Sequence, residues 1–238
     1  MFNLKNYDSF VSIVNKEGYS FIIGSSSLTL FFSMISGKIA LILFVITLLL
    51  VYFFRDPARF VPLNDNLILA PADGIIQDIT IATPPDELGI VSQMRKISIF
   101  LSPLDVHVNR IPINGIIKKV HYHPGQFLNA SLDKASILNE RCSFELEFNN
   151  NEETKQIYCV QIAGFVARRI VNNLIANQEV KAGERFGIIK FSSRMDIYLP
   201  LDLPIAIAIG QSCIAGETIL ALAAQQSNVP LVTEVSRI

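Results

Sequence analysis

One strand-forming run of the sequence is Phe186-Gly187-Ile188-Ile189-Lys190-Phe191-Ser192-Ser193-Arg194-Met195-Asp196-Ile197-Tyr198-Leu199-Pro200. Its β-branched and aromatic residues predict a β-strand, with a proline at its end. Ser192 and Ser193 stand in the middle of this strand. A serine hydroxyl is a poor nucleophile by itself, so a reactive serine here would need a base and a group that orients the base.

Outward from this strand, the chain from Leu67 onward has the composition of a β-domain. Glycines and prolines separate short apolar runs, and Asn149–Glu153 predicts a hairpin turn. The spacing of apolar residues predicts a helix over Gly164–Asn177, while Asn129–Asn139 suits a second short helix or a loop. Other strands are predicted at Ile97–Leu101, Ile113–Tyr122, Phe144–Phe148, Gln156–Ala163, Phe186–Phe191 and Ile205–Ile209. The sequence therefore predicts a mainly β (α+β) fold with a few short helices.

The N-terminal part is unusually poor in charge. Tyr19–Gly37 contains no charged residue, and after Lys38 the more hydrophobic run Ile39–Phe54 is again uncharged. A transmembrane helix needs about 20 apolar residues, and the basic residues on the flanks favour a hairpin with both ends in the cytoplasm. The alternatives are a single span, an anchor in the membrane plane, or a buried core helix. We predict a membrane-anchoring segment over residues 1–56 and a separate domain over residues 57–238.

Composition limits the classes of function. Half of the 238 residues are hydrophobic, and a net charge of −1 gives no support for nucleic-acid binding. The three cysteines, Cys142, Cys159 and Cys213, lack metal-site spacing and cannot all pair with one another. Reduced, mostly buried thiols in a domain facing the cytosol are therefore expected.

Three histidines are the candidates for a base. His107 ends a polar run that follows a predicted strand, and catalytic side chains are common at such positions. His121 and His123 alternate along a strand and share a face, but no third ligand nearby completes a metal site. Asp73 begins an Asp-Gly pair, which is also an ordinary turn. The residues alone therefore indicate a membrane-anchored β-rich domain in which His107 and Asp73 are candidate catalytic side chains, and they do not single out Ser193.

A series of motifs resembles phosphatidylserine decarboxylase proenzymes, and in particular their short-chain bacterial branch. The similarity runs from about Tyr52 to Leu220. One motif alone is weak evidence, whereas the whole series in the expected order is specific. The motifs are Phe53–Pro57, Pro71–Gly74, Leu101–Pro112, Pro124–Ala130, Asn139–Arg141, Gln161–Gly164, Ala167–Ile170 and Gly183–Gly187, which leads into the serine pair.

The resemblance implies a self-processing enzyme. In this family a serine cuts its own chain and becomes a pyruvoyl group, so no separate cofactor or metal is required. By analogy His107 or a neighbouring base, held by Asp73, deprotonates Ser193, with Ser192 as the alternate reactive serine. The Ser193 hydroxyl then attacks the carbonyl of Ser192, and elimination separates a β chain, residues 1–192, from an α chain, residues 193–238. The two chains stay together as a heterodimer that converts phosphatidylserine to phosphatidylethanolamine and CO₂.

The same resemblance implies a fold, a location and a substrate site. The family core is similar to lipoyl-like barrel halves, and two Ala-Gly-Glu turns, in Glu179–Glu184 and Cys213–Thr218, fit such halves as well as they fit ordinary turns. The expected location is the cell (inner) membrane, with the catalytic domain facing the cytoplasm and higher oligomers left open. Arginines are expected to meet the carboxylate or phosphate of the lipid; the candidates are Arg110, Arg168, Arg169 and Arg194.

Two positions depart from the family pattern. Ser192 stands where glycine is usual, and a Cβ at the scissile bond restricts the backbone. Arg110 stands where the longer-chain branch has a second histidine. These departures leave open an unprocessed, catalytically silent homologue that acts as a membrane-bound binding module. A biotin- or lipoate-carrier domain is a weaker alternative, because neither Ala-Gly-Glu turn carries an exposed lysine.

Overall fold

The structure is a computed structural model that describes residues 13–126, 138–150, 153–164, 169–190, 193–223 and 235–238. The chain divides into two compact units. The first unit ends at Ala58, and the second unit runs Arg59–Ile238.

The first unit contains a hairpin of two helices, α1 (Tyr19–Ser33) and α2 (Gly37–Phe53). The two uncharged runs thus form separate helices that pack on each other, and a 2.7 Å hydrogen bond joins Ser25 Oγ to Thr47 Oγ1. Most of the large apolar side chains of both helices are exposed. In the part of the chain that the structure describes, no helix has both the length and the apolar composition needed to cross a membrane.

The second unit is almost entirely β-structure, and every strand pair in its described residues is antiparallel. The strands are β1 (Phe60–Pro62), β2 (Leu67–Leu69), β3 (Gly74–Ala82), β4 (Met94–Leu101), β5 (Val108–Arg110), β6 (Gly115–His123), β7 (Arg141–Asn149), β8 (Thr154–Ala163), β9 (Ile170–Asn172), β10 (Glu179–Val180), β11 (Arg185–Ile189), β12 (Ser193–Leu199), β13 (Ser212–Cys213), β14 (Ile219–Leu222) and β15 (Val235–Arg237). The expected mainly β fold is therefore confirmed.

An eight-stranded sheet dominates this unit, in the order β10-β6-β7-β8-β12-β4-β3-β13. A three-stranded sheet, β5-β11-β9, and the pairs β1-β15 and β14-β2 complete it. Register shifts between Ile76 and Asp78 and between Ile117 and Lys119 mark bulges, which bend a sheet and increase its twist. Strand β12 lies near the middle of the large sheet, so its side chains are enclosed on both faces.

The two faces of β12 serve different purposes. Met195, Ile197 and Leu199 join the main hydrophobic core. Tyr198 joins a smaller cluster on the other face, where Arg194 and Asp196 form a buried ion pair. Because side chains alternate along a strand, Ser193 projects from the same face as Met195.

Most sequence-based strand predictions are confirmed, and two element predictions are wrong. The predicted helix Gly164–Asn177 is absent from its described part, where Ile170–Asn172 forms β9 and pairs with β11. The predicted strand Ile205–Ile209 is reduced to one bridge, between Ile205 and Ala221. Strands β7 and β8 pair antiparallel up to Asn149 and Thr154, as the predicted hairpin requires, while residues 151 and 152 of the predicted turn lie outside the described residues. Most of Asn129–Asn139 lies outside the described residues.

The two Ala-Gly-Glu turns lie against each other. Gly183 and Gly216 have φ values of +79° and +76°, a left-handed conformation that favours glycine. A Cβ added at Gly216 would lie 3.4 Å from Gly183 Cα and 3.2 Å from Arg110 Cδ. Arg110 is therefore enclosed by the paired turns.

An ion pair ties the 3₁₀ helix Asp86–Leu88 to the outer surface of β7. Glu87 Oε1 and Oε2 accept hydrogen bonds from Arg141 Nε at 2.7 Å and Nη2 at 2.8 Å. Ser143 Oγ donates a third, at 3.0 Å. Although burial acts in the opposite direction, these hydrogen bonds lower the pKa of Glu87 from 4.5 to about 2.

Glu87→Gln is expected to flatten the acid dependence of stability. The pKa of Glu87 is lower in the folded chain than in the unfolded chain. Its contribution to folding stability is therefore complete above about pH 4.5 and is lost as the pH falls toward 2. Chemical denaturation should show the variant less stable by about 2 kcal/mol near neutral pH and close to wild type in acid. The exposed Glu179→Gln is the matched control, and an unchanged acid slope in Glu87→Gln would contradict the assignment.

Candidate active site

Ser193 begins β12 at the point where three strands end together. Its pairing partners are Leu101, the last residue of β4, and Ala163, the last residue of β8. The residue is completely buried, and its Oγ has no hydrogen-bond partner among the described residues. Buried hydroxyl groups are nearly always hydrogen-bonded, so an unpartnered one requires an explanation, and a chemical role is one.

His107 is brought to the strand that leads into Ser193. It lies just before β5, and its carbonyl oxygen accepts a hydrogen bond from Ile189 N at 3.3 Å. Ile189 is four positions before Ser193 in the sequence. The residue is fully buried, and its Nδ1 lies 3.0 Å from the carbonyl oxygen of Asp105. Because a carbonyl oxygen can only accept, Nδ1 carries the hydrogen, and the neutral ring keeps its lone pair on Nε2.

A compact loop delivers His107 to this end of the sheet. The loop begins directly after Leu101, which is the β4 partner of Ser193. Asp105 Oδ2 accepts from Ser102 N at 2.7 Å, and Asp105 N donates to Ser102 O at 2.9 Å. These two hydrogen bonds close the turn and so position the Asp105 carbonyl oxygen for the histidine ring.

Asp73 lies beside the same strand ends. Both of its carboxylate oxygens accept from Arg59 Nη2, at 2.9 and 2.7 Å, and Oδ1 also accepts from Ala215 N at 2.8 Å. A Cβ at the following residue, Gly74, would lie 2.2 Å from the carbonyl oxygen of Phe100, so only glycine allows this approach to β4.

Burial raises the pKa of Asp73. The positive charge of Arg59 and the hydrogen bonds from Arg59 and Ala215 N oppose this rise, and the negative charge of Asp105 adds a smaller upward effect. The hydrogen-bond partner of His107 Nδ1 is the Asp105 carbonyl, whereas Asp73 is held by Arg59 and Ala215. The hydrogen bonds to the Asp73 carboxylate thus come from Arg59 and Ala215, whereas the family resemblance implies that Asp73 holds His107.

The predicted arginines occupy different environments. Arg110 is buried and donates from Nη1 to the carbonyl oxygen of Gly183 at 2.8 Å. Arg194 Nε lies 2.9 Å from Asp196 Oδ1, and its Nη2 donates to Oδ2 at 3.0 Å. Arg169 is exposed, and its carbonyl oxygen accepts from Lys190 N at 3.2 Å. The other two predicted residues, Arg168 and Ser192, lie outside the described residues.

The cysteines are free and buried, as expected. Burial raises the pKa of the Cys142 and Cys213 thiols to about 12 and raises that of Cys159 as well. The thiolate is the reactive form of cysteine, so these groups are inert near neutral pH. Ser193 is therefore the stronger candidate nucleophile.

This region also contains a group of amide side chains that was not predicted from the sequence. Gln161 Nε2 donates to Asn109 Oδ1 at 2.9 Å, and Asn172 Nδ2 donates to Gln161 Oε1 at 3.0 Å. Asn109 and Gln161 are completely buried. The sequence feature that could have indicated this group is an amide residue within an apolar predicted strand, because asparagine and glutamine are mostly exposed in folded proteins.

Comparison with known proteins identifies relatives over almost the whole chain. The family model for phosphatidylserine decarboxylase matches residues 46–221. The phosphatidylserine decarboxylase proenzyme of Rickettsia typhi is 48% identical over 219 residues, which cover 92% of this chain and 94% of the relative. The proenzymes of Rickettsia felis and Rickettsia akari are each 49% identical over the same shares of the two chains.

Proposed function

Because the chain belongs to the phosphatidylserine decarboxylase family and acts on phosphatidylserine, we propose that Ser193 supplies its prosthetic group by self-cleavage. The reaction releases CO₂ from the serine headgroup and leaves phosphatidylethanolamine. The observation that carries the proposal is the buried Ser193 Oγ, which has no partner among the described residues and lies where β4, β8 and β12 meet.

Maturation uses atoms of the chain itself. His107 Nε2 takes the proton of Ser193 Oγ and delivers it to the departing backbone nitrogen of Ser193. Oγ bonds to the carbonyl carbon of Ser192 while the peptide C–N bond breaks, giving an ester and a free amine. Removal of the Cα proton of residue 193 then breaks its Cβ–Oγ bond and releases the carboxylate of fragment 1–192. Addition of water and loss of ammonia leave a pyruvoyl group at the start of fragment 193–238.

A pyruvoyl group at residue 193 would supply a carbonyl that accepts electrons from the serine headgroup during decarboxylation. The residues around it hold the substrate and move protons. His107 is the candidate acid that returns a proton to the carbon that lost CO₂. Among the predicted arginines that the structure describes, Arg169 is exposed and is the candidate for the anionic headgroup, because Arg110 and Arg194 are enclosed.

The two fragments are expected to stay together. Strand β12 begins the smaller fragment, yet it pairs along its length with β4 and β8 of the larger one. Strands β13 and β14, also from the smaller fragment, pair with β3 and β2. Cutting one peptide bond removes neither these ladders nor the shared core, so the mature enzyme is a heterodimer of the two chains.

The experiment that tests this function follows the purified chain by intact-mass spectrometry and its conversion of phosphatidylserine by product analysis. Two fragments that meet at residues 192 and 193, together with phosphatidylethanolamine formation, are the expected results. An uncut chain would contradict the proposed maturation.

We propose that the α1–α2 hairpin holds the enzyme on the cytoplasmic face of the cell membrane, where its lipid substrate lies. Apolar side chains are exposed around both helices, which is costly in water and favourable in the acyl region of a bilayer. Substrate headgroups and enzyme then share one surface.

The double variant Leu30→Asp/Ile42→Asp is expected to bind phosphatidylserine vesicles at least about tenfold more weakly in co-sedimentation, since an aspartate within a membrane costs several kcal/mol. Leu30 and Ile42 are 71% and 62% exposed, so the changes leave the protein interior intact. Val91→Asp, which alters a 94% exposed residue of the second unit, is the matched control. Wild-type binding by the double variant would exclude the hairpin as the lipid contact.

A further inference from the structure

A series of three amide side chains, Asn172, Gln161 and Asn109, ends in a donor with no acceptor among the described residues. Leu174 N donates to Asn172 Oδ1 at 2.9 Å, and Asn172 Nδ2 donates to Gln161 Oε1 at 3.0 Å. Gln161 Nε2 in turn donates to Asn109 Oδ1 at 2.9 Å. Asn109 Nδ2 is buried and has no hydrogen-bond partner in the part of the chain that the structure describes.

The direction of this series is fixed from one end. The backbone N–H of Leu174 can only donate, so it must face the oxygen of Asn172 and leave the Asn172 nitrogen for Gln161. The same reasoning orients Gln161 and then Asn109. Asn109 therefore presents an N–H group to the interior. Burying a donor without an acceptor is unfavourable, and an acceptor that forms during the reaction would remove this cost.

The Asn109 end of this series lies in the same part of the fold as Ser193. Gln161 lies two residues before Ala163, the β8 partner of Ser193, so these side chains project from one face of the sheet. Asn109 follows His107 by two residues and lies in β5, which belongs to the three-stranded sheet and pairs with β11. A Cβ at Gly187, in β11, would lie 2.2 Å from the carbonyl oxygen of Val171 and 3.1 Å from Gln161 Nε2, so glycine at this position leaves room for the Gln161 side chain.

We propose that Asn109 is a catalytic hydrogen-bond donor in maturation, with Gln161 and Asn172 as the residues that position it. This inference rests on the proposed self-cleavage. When Ser193 Oγ attacks the preceding carbonyl carbon, the carbonyl oxygen becomes negatively charged, and Asn109 Nδ2 donates a hydrogen bond to it. A donor fixed in a buried site stabilises such charge without reorganising, and removal of one such donor typically slows a reaction by about 10²–10³-fold.

Asn109→Asp is the sharpest test, because aspartate keeps the oxygen that accepts from Gln161 and replaces the donor with a second oxygen. In full-length chain made by cell-free synthesis, the appearance of fragments is timed by mass spectrometry. The variant is expected to cut about 100-fold more slowly than wild type near pH 8. The ratio of variant to wild-type rate should rise as pH falls, because the introduced carboxyl group is again a donor once it is protonated.

Gln161→Glu is expected to show the same slowing and the same recovery in acid, since protonated glutamate restores the donor to Asn109. Asn173→Asp makes the identical chemical change at an exposed neighbouring position and should cut at the wild-type rate. Thermal unfolding of each variant measures the structural cost separately, and a purely structural role would give no recovery of the rate ratio at low pH.

Three results separate the possible failures. An uncut wild-type chain would refute the proposed function itself. Wild type that cuts, together with Asn109→Asp that cuts equally fast, would refute only the role of Asn109. Release of the two fragments from Asn109→Asp by hydroxylamine, which cleaves esters, would also refute it, because the attack by Ser193 would then have taken place without the donor.

Discussion

Ser193→Ala is expected to leave the chain in one piece and to abolish formation of phosphatidylethanolamine. Without Oγ there is no nucleophile to form the ester, and without the ester there is no pyruvoyl group, so both losses should be complete within detection. Ser193 is completely buried and its Oγ has no partner among the described residues, so removing the oxygen should change the folding stability little. Intact-mass spectrometry and a lipid product assay measure the two effects.

The neighbouring serine provides the control. Ser192→Ala keeps the nucleophile at residue 193 and is expected to cut at the same bond. Ser192→Gly is expected to cut faster than wild type, because glycine relaxes the backbone restriction that a Cβ imposes. A wild-type chain that stays whole after long incubation, while Ser192→Gly cuts, would instead favour the silent homologue and identify Ser192 as its cause.

His107→Gln is expected to slow maturation by about 10²–10⁴-fold, the usual contribution of a positioned general base. Glutamine approximates the size of the ring and can still donate to the Asp105 carbonyl, but it offers no basic nitrogen. The rate of fragment appearance in freshly synthesised chain measures this effect. Thermal unfolding of the same sample tests whether the buried site has remained folded.

Two variants make the His107 result specific. His121→Gln changes an exposed histidine on β6 and should cut at the wild-type rate. Asp105→Asn keeps both the backbone carbonyl that holds His107 and a side-chain oxygen for Ser102 N, so only a small effect is expected. Maturation of His107→Gln at the wild-type rate would show that another group takes the proton of Ser193.

Local pattern was sufficient for most of the strands. Period-two alternation and the glycine and proline boundaries predicted β4, β6, β7, β8 and β11, because these signals lie within a few residues of one another. The helix predicted over Gly164–Asn177 failed at Ile170–Asn172, whose apolar spacing also suits a helix. Pairing with Gly187–Ile189, a segment distant in sequence, decided that these residues form a strand.

The β-rich fold and the candidates His107 and Asp73 follow from patterns in the sequence, and Ser193 follows from the family resemblance. The surroundings of these residues could be read only from the folded chain. In the folded chain Arg110 and Arg194 are buried, and Asp73 accepts hydrogen bonds from Arg59. His107 Nδ1 is hydrogen-bonded to the carbonyl oxygen of Asp105. The fold also aligns three amides so that the donor of Asn109 has no acceptor among the described residues. Propensity and periodicity act between near neighbours, whereas hydrogen-bond partners and burial depend on strands that meet only when the sheet has formed.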